Sequence, residues 1–164
     1  MALGDFPKSQ QRALVKHYQD KYGLHVEVLE RLSLDSSTVD EQRQQLVAEQ
    51  LIRVMKQGYP RLAEDPASIL IGLTEHDMYI RGKTTWRFAF SYREDGRFAV
   101  VSSARMAIGL TAGQASVFHS RFRKMVSKNI GVLYYHLPQS LHPHSVMYKY
   151  VGGIQELDIM GEEF

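Results

Sequence analysis

Apolar residues first recur at helical spacing near the start of the chain, where Leu14, Val15, Tyr18 and Tyr22 share one side of a polar background. The pattern predicts a helix over 8–22, entered after Pro7 and stopped at Gly23. The run His25-Val26-Glu27-Val28-Leu29 alternates and predicts a strand. A second stripe, Leu46, Val47, Leu51, Val54 and Met55, predicts a helix over 39–57, ended by Gly58 and Pro60. The short apolar run 68–73 predicts a strand buried on both faces. Strands over 85–92 and 97–102 flank Glu94-Asp95-Gly96, a hairpin turn sequence. A loop over 106–113 leads to a long helix over 116–135. Pro138 and Pro143 mark another loop, and Gly152-Gly153 precedes a last helix over 154–161. This order predicts an α/β (α+β) fold, a mixed twisted sheet with two early helices packed on it and a small helical C-terminal part.

Length makes this one domain, 1–164, large enough to bury a core without staples. The absence of cysteine excludes disulfides, thiolate-held zinc and a cysteine nucleophile. A formal net charge of +2 gives no reason to expect nucleic acid or membrane as partners. The first residues lack a basic segment followed by an apolar one. No apolar run approaches the ~20 residues that span a bilayer, so the expected location is the cytoplasm.

Histidines cluster late. His136, His142 and His144 lie in one loop and His119 on the helix before it, so a zinc site there is one reading and a solvated polar loop the other. Glu156 or Asp158 can add a carboxylate to such a site. Ser102 and Ser103 end a strand without a nucleophile elbow around them, and the glycines form no phosphate-binding pattern. Arg121, Arg123, Lys124 and Lys128 on the long helix suggest either a solvated face or a basic surface for an acidic partner. Tyr134-Tyr135 reads as core packing at the helix end.

Several segments, in order along most of the chain, resemble the archaemetzincin branch of the metzincin zinc peptidases. Asp40-Glu41-Gln42-Arg43-Gln44 is similar to that family's Arg-x-Gln entry to its second helix. Ile71-Gly72-Leu73-Thr74-Glu75-His76-Asp77-Met78-Tyr79 resembles its strand and the Asp-hydrophobic-Tyr turn after it. Phe98-Ala99-Val100-Val101-Ser102-Ser103-Ala104-Arg105-Met106 resembles its edge strand, closed by Ser-x-x-Arg. Ser145-Val146-Met147 falls at its Met-turn. The resemblance implies a zinc peptidase fold with a substrate cleft. The family's helix carries His-Glu-x-x-His, two ligands on one face and a general base, with a third His after a glycine. Anchored on Gly131, the likeness puts Lys128 at the first ligand, Asn129 at the general base and Val132 at the second ligand. Tyr135 then stands at the glycine and Pro138 at the third ligand. It implies a pseudo-peptidase that needs no cofactor at that site, and a peptide or protein partner in the former cleft. A metal-dependent hydrolase with its zinc relocated to the histidine loop is the alternative, and an interaction module using the basic helix face is the second.

Overall fold

The computed structural model describes residues 1–83 and 85–164. Helix α1, Lys8–Tyr22, has the predicted bounds. Gly23 takes a left-handed backbone (φ 63°), and its N–H and that of Leu24 turn back onto the carbonyls of Gln19 and Tyr18. The strand expected over 25–29 does not form. The place beside the next strand is taken by Met1–Leu3, which bridge Leu73 on one side and Leu32 on the other. The segment therefore runs unpaired, with Val26 and Leu29 half-buried along a cavity of about 450 Å³.

The helix expected over 39–57 begins nine residues late. Strands β1 (Val39–Asp40) and β2 (Gln45–Val47) precede helix α2 (Ala48–Gly58), which is followed by the short helix α3 (Pro60–Glu64). The Asp40 carboxylate accepts the N–H groups of Gln42 and Arg43, and Gln44 is left-handed (φ 54°), so the chain turns back where a helix would continue.

Strand β3 (Leu70–Thr74) is buried as predicted, and β4 (Met78–Tyr79) follows it. The hairpin joins β5 (Ser91–Glu94) to β6 (Phe98–Ser102) through left-handed Asp95 (φ 54°) and Gly96 (φ 65°). Strand therefore replaces only the last part of the 85–92 expectation. Two mixed sheets result, in the orders β1-β2-β4 and β3-β6-β5. The edge assignment of the family resemblance is corrected: β6 is interior, parallel to β3 and antiparallel to β5, and β5 is the edge.

Helix α4, Ala115–Leu133, and the short α5, Ile154–Ile159, complete a mixed α+β fold. One core lies between α1, the sheet and α4, around Phe6, Tyr18, Val101, Phe122 and Leu157. The second lies under α2, around Leu3, Leu51, Met55, Met78 and Phe98. Among the described residues no helix is long and apolar enough to cross a membrane.

Three segments that resemble the family separately are one hydrogen-bonded knot. Arg105 donates to both Asp77 oxygens, at 2.9 and 2.6 Å, and Gln45 donates to Asp77 at 2.8 Å. Arg43 donates to Gln45 at 2.9 Å. Burial alone would raise the Asp77 carboxyl, but the Arg105 and Gln45 hydrogen bonds and the Arg105 charge outweigh it and hold it below the ordinary carboxylate value.

Candidate functional site

A helix buried on one side carries an apolar stripe, but α4 is buried all round over eight consecutive residues, Lys124 to Gly131. Four of these are polar, so each must find partners inside the protein. Tyr18 OH meets Ser127 Oγ at 3.0 Å. Lys124 donates to the carbonyls of Leu157 and Asp158 at 3.0 and 2.9 Å. Arg121, one turn earlier, holds Asp158 through two nitrogens at 2.6 and 2.8 Å, and the carbonyls of Met106 and Ile108 at 2.7 and 2.8 Å. Arg123 pairs with Glu162.

These contacts correct the basic-face expectation. Arg121, Lys124 and Lys128 are 4, 8 and 4% exposed and point into the protein, and Arg123 is half-buried. Their acids, and the carbonyls that hold Lys124 and Lys128, come from the C-terminal segment that folds over the helix, while the loop before α4 supplies the Met106 and Ile108 carbonyls to Arg121. The Tyr134-Tyr135 expectation also fails, because both rings are exposed past the helix end.

The centre of the site is Lys128 with Asn129. Lys128 Nζ donates to the Tyr148 carbonyl, which a backbone bridge between Ser140 and Tyr148 presents to the helix. Burial and the neighbouring Arg93 charge push the Lys128 ammonium down from its ordinary value to about 8. Asn129 donates to the Met125 carbonyl at 2.7 Å and accepts from Arg93 Nη1 at 3.0 Å. Arg93 reaches this point from the edge strand β5, and burial lowers its guanidinium. Sequence reasoning missed Arg93. Its only local sign is an arginine in a strand beside a hairpin turn.

Gly131 is where the next segment packs on α4. A Cβ there would lie 2.5 Å from Met147 Sδ and 2.8 Å from Phe164 Cε1. The methionine of Ser145-Val146-Met147 thus sits directly against the helix.

Zinc needs unprotonated nitrogen, thiolate or carboxylate donors with a lone pair aimed at the ion. Lys128 presents an ammonium, the Asn129 oxygen is taken by Arg93, and half-buried Val132 has no donor. These side chains do not fit a zinc ion. The histidines lie elsewhere. His136, in a left-handed backbone (φ 53°), His142 and His144 are all exposed. The rings of His142 and His144 approach to 5.6 Å between centroids, and His144 Nδ1 lies 3.1 Å from the Ile159 carbonyl. His136 is not drawn in with them. Asp158 is committed to Arg121, and His119 lines a small cavity with Gln10 and His17. Among the described residues no three His, Asp or Glu side chains are grouped to hold a metal.

No family model and no curated protein matches the chain. Solved structures do. Archaemetzincin from Archaeoglobus fulgidus, complexed with malonate, superposes with a TM-score of 0.77 at 20% identity, over 99% of this chain and 92% of that one. Archaemetzincin from Methanopyrus kandleri gives 0.73 at 23% identity, over 100% and 88%. A zinc-dependent peptidase from Methanocorpusculum labreanum gives 0.78 at 18% identity, over 99% and 93%. Identity this low speaks for the fold alone, and what it establishes is that this chain has the archaemetzincin-like fold.

Proposed function

We propose that this chain is an archaemetzincin-like domain, 1–164, that performs no zinc-dependent peptide hydrolysis and works through binding or as a structural unit. The observation that carries the reading is Lys128, a buried ammonium hydrogen-bonded to a carbonyl at the position where the family resemblance expects the first metal ligand. Cation repels cation, so a second, divalent charge cannot share that position with it. Asn129 supports the same reading, because a carboxamide locked by Arg93 and the Met125 carbonyl cannot take a proton from water. Elemental analysis of protein purified without a histidine tag tests the proposal, together with a peptidase assay on the same preparation. The expected result is less than a tenth of an equivalent of zinc and no metal-dependent hydrolysis. Stoichiometric zinc with activity that a chelator removes overturns it.

The second reading, a hydrolase with a relocated metal at His136, His142 and His144, rests on the close approach of the His142 and His144 rings. It requires a third donor to join them. His142→Ala would then lower the metal content, and unchanged content in that variant removes this reading.

A further inference from the structure

Most of the enclosed side-chain cations described in this fold sit beside a carboxylate. Arg105 has Asp77, Arg121 has Asp158, Arg123 has Glu162, and Lys56 has both Glu94 and Asp95. Lys124 has two carbonyls and the charge of Asp158. Arg93 and Lys128 stand side by side with no carboxylate paired to either among the described residues. Their protein acceptors are neutral, the Asn129 amide oxygen and the Tyr148 carbonyl.

The donor inventory says the same. A guanidinium carries five N–H groups and an ammonium three. One N–H of each meets a protein acceptor here. The enclosed polar side-chain atoms that lack a partner are Gln10 Oε1, His17 Nε2 and Tyr22 OH among the described residues, so the remaining Arg93 nitrogens are open to solvent. A half-buried and a buried positive group therefore converge from β5 and α4, and the guanidinium keeps nitrogens that meet no protein acceptor among the described residues. A partly desolvated pair of like charges is stabilised by a negative charge that joins it. The group that satisfies both is an oxyanion, which takes a bidentate contact from arginine and a point charge from lysine.

We propose that Arg93 and Lys128 form a binding site for a small oxyanion, a phosphate or a carboxylate, at the position where the family resemblance expects the first zinc ligand. This rests on the reading that no zinc occupies that place. Asn129 is a positioning residue: its side chain, locked to the Met125 carbonyl, fixes one guanidinium nitrogen of Arg93.

Titration of the full chain with inorganic phosphate, and separately with acetate, tests the site by calorimetry at constant ionic strength with chloride as reference salt. Saturable binding of at least one anion is expected, weakened at least tenfold in Arg93→Met and in Lys128→Met, and unchanged in Arg12→Gln, an exposed arginine on α1. Should one variant fail to fold, the other still decides. The inference is overturned if neither anion binds saturably, or if binding survives in every folded site variant. Preference for phosphate over acetate, or the reverse, separates the two ligand classes and supports the site in either case. Zinc content on the same sample keeps the two proposals distinct. Absent zinc without anion binding removes only this inference, and stoichiometric zinc removes the reading beneath it.

Discussion

Replacing Lys128 by methionine should stabilise the protein. The side chain is 4% exposed and its ammonium is held at about 8 rather than 10.5, mainly by burial and then by Arg93. A displacement of that size corresponds to a penalty on the order of 3 kcal/mol in the charged form. Methionine fills nearly the same volume without the charge. Against this, the Tyr148 carbonyl loses its donor, which costs about 1 kcal/mol. The net gain at neutral pH is about 2 kcal/mol. Its pH dependence is the sharper signature. The folded-state value lies below the unfolded one, so between pH 8 and 10.5 the unfolded wild type binds the extra proton and wild-type stability rises with pH. The advantage of Lys128→Met is therefore complete below pH 8, shrinks as pH rises, and turns into a deficit of about 1 kcal/mol above pH 10.5, where only the lost donor counts. Urea denaturation of both proteins at four pH values across this window, in anion-free buffer, measures it. A variant less stable than wild type at pH 7, or an offset that does not change with pH, refutes the reasoning.

The Asp77–Arg105 knot joins segments distant in sequence, and Asp77→Ala should lower stability by about 2 kcal/mol in urea, since it strands a half-buried guanidinium and the Gln45 amide. Gly131→Ala should destabilise by about 2 kcal/mol because its Cβ meets Met147 and Phe164, and Met147→Ala in the same chain should return part of that loss. Asp77, Asp158 and Glu162 all titrate below their ordinary values in the folded state. Their contribution is present above the unfolded carboxylate range and lost as pH falls through the folded values, so acid denaturation should set in at higher pH for Asp158→Asn than for wild type. Comparison of the Asp158→Asn acid midpoint with that of wild type by circular dichroism checks this, a higher midpoint being expected, and no change at all counts against the Arg121 pairing.

What the sequence made legible were the features with local causes. Pro7 and Gly23 mark the ends of α1 because their backbone preferences act where they stand. Asp95-Gly96 marks the hairpin for the same reason. The failures have causes the local pattern does not contain. Residues 25–29 alternate like a strand, but Met1–Leu3 take the adjacent position at β3. Leu46 and Val47 match a helical stripe, yet they enter the core from a strand, because Asp40 and Gln44 shape a turn before them. The basic residues of α4 look solvated when their helix is read alone. The partners of Arg121 and Arg123 lie more than thirty residues later, so no window of helical length includes them. The likeness to the fold family read the architecture correctly from scattered short segments, since those segments meet in one polar knot.

That late arrival of partners has a consequence for synthesis. When α4 has left the ribosome and residues 148–162 have not, Arg121, Lys124 and Lys128 form a cationic stripe at one-turn and two-turn spacing that lacks its C-terminal partners. A nascent chain halted there carries those charges without the acids that neutralise them in the finished fold. The last fifteen or so residues convert it to an inward-facing lattice of charges. The C-terminal segment thus acts as a built-in sheath, and truncation before Leu157 should leave Arg121 and Lys124 without their C-terminal partners.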